Sequence, residues 1–190
     1  MRGKRLIHSI GLAMTRGSFK RAEYLRKHDI LAHMGKGCSI ERRKIPLYPK
    51  LISIGDNVHF ASNVVFITHD AIHMMLNRLY GKGTAKEKIG CIEIGSNVFV
   101  GAGTRIMYDV RIGSNVIIGT GSVVTKDIPD HSVAVGCPAK VIGTFEDYLK
   151  KRGSEDTYPD QWTPRNQEIS DELADWCWNQ FHGKRKERAE

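Results

Sequence analysis

Apolar residues recur at every sixth position through the middle of the chain. A branched apolar side chain occupies each of the positions Ile94, Val100, Ile106, Ile112, Ile118 and Val124. Glycine directly follows four of them, and a small or branched residue comes four positions later. Neither the 3.6-residue period of an amphipathic helix nor the two-residue period of a half-buried strand produces this pattern. A coil with three flat sides does, because each side is a short strand that turns one residue per repeat toward a shared axis.

A short motif marks the corners of this coil. The sequence Ile-Gly-Asp/Ser-Asn-Val occurs three times, at 54–58, 94–98 and 112–116. The last two copies are 18 residues apart, which is three six-residue repeats and therefore one complete coil. Glycine and asparagine tolerate the tight backbone of such corners. The pattern predicts a mainly β fold in which stacked coils share one core.

An insertion interrupts the repeats after their first coil. One coil beyond Ile54 would place the next repeat at residue 72, but the pattern resumes at Ile94, 22 residues later. Because an insertion cannot remain within a coil, we expect an excursion loop at about 70–90. Loops of this length are commonly functional.

The repeats divide the chain into three predicted segments. These are a basic helical segment at 1–36, the solenoid at 37–143 and a helical extension at 144–190. We expect short helices over 4–16 and 18–31, with Ser18 as an N-cap. A further helix is expected from about 170 to 183, with one packing side formed by Leu173, Trp176, Cys177 and Phe181.

Positive charge is concentrated at the N-terminus. The formal net charge is +8, and residues 1–36 carry nine Lys or Arg and only two acidic residues. This segment predicts an anionic partner such as acidic lipid or a phosphorylated substrate, with a solvated helix face as the alternative. No nucleic-acid motif accompanies the charge, so we expect no nucleic-acid partner. Without a long apolar run or a secretory leader, we expect a cytoplasmic protein.

Four cysteines are widely separated and form no Cys-x-x-Cys pair: Cys38, Cys91, Cys137 and Cys177. We therefore expect free thiols buried as small hydrophobic residues, rather than a disulfide framework or a zinc site.

Three further stretches carry a family resemblance. They are Ile67-Thr-His-Asp70, Gly119-Thr-Gly-Ser-Val-Val-Thr-Lys-Asp-Ile-Pro129 and Val135-Gly-Cys-Pro-Ala-Lys-Val-Ile142. Together with the repeats and the excursion, they resemble the bacterial hexapeptide-repeat acyltransferases, in particular the maltose, galactoside, nodulation and capsular-polysaccharide O-acetyltransferases. The resemblance covers about residues 37–150. It implies a left-handed parallel β-helix and a homotrimer that binds acetyl-CoA, with no metal, between neighbouring subunits.

His69 is the catalytic residue that this resemblance implies. An imidazole titrates near neutral pH, so it can take the proton of a sugar hydroxyl that attacks the thioester. Asp70 is a candidate to orient the imidazole or to contact substrate. Within the excursion, His73, Arg78 and Tyr80 are candidates for contacts with the acceptor.

A second set of residues is assigned to acetyl-CoA by the same resemblance. Phe99 stands at a position where the family often has Trp. The backbone N–H of Ala102 is assigned to the thioester carbonyl, and Gly101 beside it leaves room for the pantetheine arm. Thr120 and Thr125 are assigned to pantetheine and adenine, and Lys126 and Lys140 to the phosphates of CoA. Repeat architecture alone is the alternative explanation for the glycines.

The chain also departs from the family pattern. Where sugar-binding acidic and amide residues are expected between Cys38 and Lys50, it reads Glu41-Arg-Arg-Lys44. A basic stretch there favours an anionic or lipid-phosphate-linked sugar acceptor. Gly143 replaces a basic residue common in relatives, and Tyr108-Asp109 replaces a Pro-Gly turn.

Two other functions remain open at this point. The γ-class carbonic anhydrases share the solenoid and bind zinc through three histidines, for which His59, His69 and His73 are candidates, although their spacing does not match that family. A non-catalytic solenoid scaffold is the second alternative.

Overall fold

Three parallel sheets form the flat sides of a solenoid. The computed structural model describes residues 2–155, 157–165 and 168–186. The first side contains β1 (His33–Met34), β3 (Ile52–Ile54), β6 (Ile92–Ile94) and β9 (Val110–Ile112). The second contains β2 (Ser39–Ile40), β4 (Val58–Phe60), β7 (Val98–Val100), β10 (Val116–Ile118) and β12 (Ser132–Val135), with β13 (Lys140–Thr144) antiparallel at its edge. The third contains β5 (Val65–Phe66), β8 (Arg105–Ile106) and β11 (Val123–Val124).

The strand register confirms the six-residue period as the basis of the core. Ile94 pairs with Ile112 on the first side, and Val100 pairs with Ile118 on the second, so residues 18 positions apart lie on successive coils. The positions four residues after each apolar repeat are buried as well, including Thr104 and Ser122. Both hydroxyls donate to the Gly119 carbonyl, which satisfies these buried polar groups.

An asparagine ladder stabilises the corner between the first and second sides. Asn57, Asn97 and Asn115 have φ angles of 54°, 58° and 56°, in the left-handed region that asparagine tolerates. The Asn57 amide donates to the Asn97 side-chain oxygen at 2.9 Å, and the Asn97 amide donates to Asn115 at 3.0 Å. The same residue type therefore makes the turn and links one coil to the next.

Two helices precede the solenoid, α1 (Arg2–Met14) and α2 (Ser18–Lys27). The second is shorter than predicted. Asp29 adopts a φ of 47°, and the Ile30 N–H donates to the Leu25 carbonyl at 3.1 Å, which closes the helix before residue 31. The N-cap position belongs to Gly17 and not to Ser18, and no side chain caps the helix.

The predicted excursion loop contains a helix, α3 (Ile72–Tyr80). Its neck is closed by antiparallel contacts between the outgoing and returning arms. The Asp70 N–H donates to the Lys88 carbonyl, and the Gly90 N–H donates to the Thr68 carbonyl, both at 3.0 Å. The excursion therefore leaves the coil and returns to it at almost the same point.

A separate unit begins at Lys150, within α4 (Phe145–Gly153), and contains α5 (Asp171–Lys186). Only part of the predicted packing side of α5 is covered. Leu173 is buried and Trp176 meets Tyr158 edge-on at 6.0 Å, whereas Cys177 and Phe181 are exposed. The predicted segment 144–190 extends to residues 187–190, which lie outside the described residues.

The expectation of four buried thiols is wrong for three of them. All four cysteines are free, but only Cys38 is buried. Cys91 precedes an inward-facing residue of β6 and so faces outward, since side chains alternate along a strand. Cys137 lies in the turn after β12, and Cys177 lies on the open side of α5.

Candidate active site

His69 stands at the neck of the excursion, three residues after β5. Its side chain is half-buried, and its backbone forms an antiparallel bridge with Ile89. The Nδ1 atoms of His69 and His73 are the two buried side-chain nitrogen or oxygen atoms without a hydrogen-bond partner among the residues described. Because buried polar atoms are normally paired, an unpaired ring nitrogen marks a candidate functional group.

Tyr48 packs against the His69 ring. The two rings meet edge-on, with 4.9 Å between their centroids and an interplanar angle of 74°. The Tyr48 hydroxyl donates to both carboxylate oxygens of Glu87, at 2.9 and 3.1 Å. This carboxylate raises the pKa of Tyr48, so the hydroxyl keeps its proton. The contact joins the segment before β3 to the returning arm of the excursion and limits the orientations open to the imidazole.

Asp70 anchors the start of α3. One carboxylate oxygen accepts from the Ile72 N–H at 3.1 Å, and the other accepts from the Tyr108 hydroxyl at 3.0 Å. The Asp70 carboxylate raises the pKa of Tyr108. Both oxygens are thus engaged by groups other than His69 within the single chain.

Lys88 ties the returning arm to the next coil. Its Nζ lies 2.7 Å from the Asp109 carboxylate and 5.6 Å from the centre of the Tyr108 ring. The Asp109 carboxylate raises the pKa of Lys88. The Asp109 side chain lies so close to Gly90 that a Cβ there would be 2.1 Å from Oδ1. The Tyr108-Asp109 substitution noted in the sequence therefore holds the excursion in place.

Tyr48, Glu87 and Lys88 were not predicted as site residues. They lie in segments without the six-residue repeat, so no periodic signal marks them. Tyr108 and Asp109 were noticed only as a departure from a turn motif. All five meet at the neck through tertiary contacts.

The remaining excursion candidates lie on α3. His73 is half-buried, whereas Arg78 and Tyr80 are exposed. Arg78 lines an open cleft of about 710 Å³ together with Met74, Met75 and Leu79. In the single chain, α3 thus presents an apolar face with one cation beside it.

The residues assigned to the thioester and pantetheine lie at the corner between the second and third sides. The Gly121 N–H donates to the Ala102 carbonyl at 2.8 Å, which places Ala102 and Thr120 on successive coils. A Cβ on Gly101 would lie 2.5 Å from the Thr120 nitrogen, so coil stacking alone requires this glycine. Phe99 faces outward from β7 and is 46% exposed.

Thr125 and Lys126 lie at the opposite corner, between the third and first sides, directly after β11. Lys140 begins β13, beyond the last coil. All three side chains are exposed, and neither lysine forms an ion pair with any residue in the described ranges.

His69 and Ala102 do not meet within one chain. His69 follows β5, whereas Ala102 precedes β8, and these two strands pair in parallel. The two residues therefore lie at opposite edges of the third side. Within one chain, the width of the third side therefore separates the residue assigned as base from the residue assigned to the thioester.

The three histidines of the zinc alternative are also separated. His59 faces outward from the second side, where its ring nitrogens lie 2.9 Å from Ser39 Oγ and 2.9 Å from Asn57 Oδ1. His69 lies at the corner of the third side. Across the part of the chain that is described, no three His, Cys, Asp or Glu residues are grouped as metal ligands.

No helix of the described residues is long and apolar enough to cross a membrane. The N-terminal helices, the excursion helix and the C-terminal helix all fall short of that requirement.

Comparisons with known proteins agree with this architecture. The model of the family "Bacterial transferase hexapeptide (six repeats)" matches residues 91–126. Protein CapG of Staphylococcus aureus is 43% identical over 121 residues, which cover 62% of this chain and 69% of CapG. A galactoside acetyltransferase in complex with coenzyme A superposes with a TM-score of 0.56 at 28% identity, covering 84% of this chain and 87% of the other.

A maltose O-acetyltransferase from Clostridium difficile 630 superposes with a TM-score of 0.55 at 29% identity, covering 75% of this chain and 85% of the other. The repeat match, the identity to CapG over more than two thirds of its length and the fold shared with two acetyltransferases lead to one assignment. The chain belongs to the bacterial hexapeptide-repeat acetyltransferase family.

Proposed function

We propose that this chain moves the acetyl group of acetyl-CoA to a hydroxyl of a sugar or polysaccharide precursor, with His69 as general base. One observation carries the assignment of the base: a half-buried imidazole with an unpaired Nδ1 stands at the neck of the excursion. Relatives named as galactoside and maltose acetyltransferases, one of them in complex with coenzyme A, support the donor and the acceptor class.

The proposed reaction proceeds in two steps. The imidazole takes the acceptor's hydroxyl proton while the hydroxyl oxygen attacks the thioester carbonyl. The resulting oxyanion accepts a hydrogen bond from the Ala102 N–H, for which no other acceptor occurs among the residues described. Collapse of this intermediate breaks the carbon–sulfur bond, and the CoA thiolate takes the proton from the imidazolium. An O-acetyl ester and free CoA are the products.

The proposed catalyst is a homotrimer of left-handed β-helices. His69 and Ala102 lie at opposite edges of the third side, so a neighbouring chain is needed to complete each site. Acetyl-CoA would then lie between two subunits, with Phe99, Thr120 and Thr125 along its length. The exposed amines of Lys126 and Lys140 are suited to its phosphates. Because acetyl-CoA is a cytoplasmic metabolite, this proposal implies a cytoplasmic reaction.

Release of CoA from acetyl-CoA in the presence of a panel of sugar acceptors tests the activity. We expect acceptor-dependent release by the folded oligomer, together with direct binding of acetyl-CoA measured by calorimetry. A folded protein that neither binds acetyl-CoA nor releases CoA would contradict the proposal and favour a scaffold.

We expect Tyr48→Phe to lower kcat by roughly tenfold while the KM for acetyl-CoA stays unchanged. The substitution keeps the ring against His69 but removes the hydroxyl that binds Glu87, so the imidazole loses its fixed orientation. Steady-state kinetics separate the two parameters.

Tyr24→Phe is the matched control, since its hydroxyl contacts His8 on the N-terminal helices instead. Equal effects of the two substitutions on kcat, or a change in the KM for acetyl-CoA alone, would remove Tyr48 from the positioning of His69.

The exposed face of α1 is the part of the chain that we propose to contact an anionic membrane. α1 buries Leu12 but leaves a stripe of large apolar residues more than half exposed. The stripe consists of Leu6, Ile7, Ile10 and Met14. Arg5, Arg16 and Lys20 are exposed in the same N-terminal segment, which carries most of the net charge. An amphipathic helix with an apolar outer face and basic flanks binds at the surface of anionic bilayers.

Ile10→Glu is expected to reduce binding to phosphatidylglycerol vesicles by tenfold or more, because burying one such side chain contributes about 1.5–3 kcal/mol. Vesicle flotation measures this binding. Ile142→Glu is the control, because Ile142 is comparably exposed but lies on β13. The proposal would be contradicted if the wild type bound neutral phosphatidylcholine vesicles as strongly as phosphatidylglycerol vesicles. It would also be contradicted if Ile10→Glu bound phosphatidylglycerol vesicles as strongly as the wild type.

A further inference from the structure

A basic cleft lies beside the thioester-binding corner and takes no part in the chemistry proposed above. Its volume is about 640 Å³. One wall is the segment Glu41–Lys44, which precedes the regular coils, and the other wall is the segment Ser62–Val65 at the corner before and within β5. Three of its lining residues are consecutive cations: Arg42, Arg43 and Lys44.

The one acidic residue of the lining does not offset these cations. Glu41 Oε2 lies 2.7 Å from Arg21 Nη2, and the Arg21 side chain is only 2% exposed. Arg21 also donates through Nε to the Ile40 carbonyl at 2.9 Å. Removing Glu41 would leave the buried Arg21 charge unpaired, so this ion pair holds the Glu41 carboxylate at Arg21. Arg42, Arg43 and Lys44 form no ion pair with any residue that the structure describes.

Arg42 is the residue whose surroundings most favour an anion. Its guanidinium is half-buried, and burial lowers the pKa of Arg42. It donates through Nε to the Lys44 carbonyl at 2.8 Å and through Nη1 to the Val64 carbonyl at 3.4 Å. These carbonyls orient the group but carry no charge, and no carboxylate among the residues described pairs with it. A guanidinium has five N–H donors, so donors remain for a ligand.

The other two cations differ in whether a backbone carbonyl holds the side chain. Arg43 donates through Nη1 to the Ala13 carbonyl at 2.9 Å, which ties this wall of the cleft to the end of α1. Lys44 is exposed. The cleft thus combines two guanidinium groups held by backbone carbonyls with one exposed ammonium group, an arrangement suited to phosphate oxygens.

The cleft adjoins the proposed site of reaction. The Gly103 N–H donates to the Ser62 carbonyl at 2.9 Å, so Ser62 and Asn63 lie one coil away from Ala102. The proposed function places the thioester carbonyl at Ala102. An acceptor whose hydroxyl reaches that carbonyl can extend along the corner, and its next group then enters the basic cleft.

We infer that this cleft binds a phosphate or diphosphate ester carried by the sugar acceptor. The inference rests on the proposed function, because only an acetyl acceptor has reason to extend from Ala102 into the cleft. Arg42 and Lys44 bind the phosphate oxygens, and Ser62 and Asn63 offer polar groups to the sugar beside it. A nucleoside-diphosphate sugar and a sugar linked through diphosphate to a lipid carry the same recognised group.

The experiment compares acceptors that share one sugar and differ in charge. The three acceptors are the neutral methyl glycoside, the uridine-diphosphate sugar and a sugar linked through diphosphate to a short prenyl chain. For the wild type, we expect kcat/KM to be at least tenfold higher for both diphosphates than for the glycoside. The ratio of kcat/KM for the uridine-diphosphate sugar to kcat/KM for the prenyl-linked sugar then shows whether the phosphate belongs to a nucleotide or to a lipid carrier.

Lys44→Gln and Arg42→Gln test the cleft directly. Each is expected to lower kcat/KM for the diphosphate acceptors by about tenfold, as expected for loss of one charge-assisted hydrogen bond. The kcat/KM for the neutral glycoside and the KM for acetyl-CoA should stay unchanged. Lys44 is exposed, so Lys44→Gln remains informative even if Arg42→Gln impairs folding. Arg111→Gln removes an exposed cation from the first side, far from the cleft, and serves as control.

Three results would overturn the inference. One is equal kcat/KM for neutral and phosphorylated acceptors, and another is an equal loss in Arg111→Gln. The third is a raised KM for acetyl-CoA in Lys44→Gln with acceptor kinetics unchanged, which would assign the cleft to the donor's phosphates. In each case acetyl transfer itself continues, whereas failure of the proposed function would abolish both transfer and acetyl-CoA binding.

Discussion

His69→Ala is expected to lower kcat/KM for acetyl transfer by on the order of a hundredfold or more. Without the imidazole, the hydroxyl of the acceptor has no positioned base, and water is a poor substitute at neutral pH. The residue stands at the neck of the excursion, where Tyr48 limits its orientation and where its Nδ1 is unpaired. Binding of acetyl-CoA should persist, because the residues proposed to contact it lie along the coils.

The measurement is CoA release by wild type and variant at equal protein concentration, with circular dichroism as the check on folding. His73→Ala is the matched control, since His73 is the other histidine with a buried, unpaired Nδ1. We expect His73→Ala to change the KM for the acceptor more than kcat. A loss of kcat confined to His73→Ala would transfer the role of base from His69 to His73.

Ile112→Ala is expected to lower the free energy of unfolding by about 2–5 kcal/mol. The side chain is 0% exposed, and Ile112 pairs with Ile94 on one coil and bridges to Ile128 on the next. Each coil packs only on its immediate neighbours, so a cavity in one layer cannot be filled from elsewhere. The loss should therefore be at least as large as for a typical buried isoleucine.

Arg111→Ala provides the control on the same strand. Arg111 faces outward, is largely exposed and lies 3.8 Å from Glu93, so its removal should change the unfolding free energy by less than about 1 kcal/mol. Urea denaturation followed by circular dichroism measures both variants, at equal protein concentration because an oligomer's stability depends on it. Similar losses for the two variants would show that the six-residue positions do not carry the stability of the coil.

The sequence determined the core because its signal is local and repeated. Each six-residue repeat has the same backbone conformation, so residues 18 apart necessarily stack, as Ile94 and Ile112 do. The position of the insertion followed from the same arithmetic. The repeat pattern did not predict the helix α3 within the insertion, because α3 lies outside the repeats. The burial of the cysteines was also mispredicted, since chemical character alone does not specify the face of a strand.

The sequence predicts His69 as the candidate base through its family resemblance, because a Thr-His motif stands at the start of the excursion. The groups around it were decided by tertiary structure alone. Tyr48, Glu87 and Tyr108 come from three separate segments and meet at the neck only when the excursion returns to the coil.

The same distinction applies to the basic cleft. Its three cations are visible in the sequence, but a neighbouring Glu41 suggests that their charge is partly neutralised. Only the folded chain shows that Glu41 is paired with the buried Arg21, which lies 20 residues away. The sequence by itself thus determined the repeating core and the candidate base, because both depend on local pattern. Tertiary structure decided which charges and hydroxyls surround the site, because long-range contacts determine which partners each side chain meets.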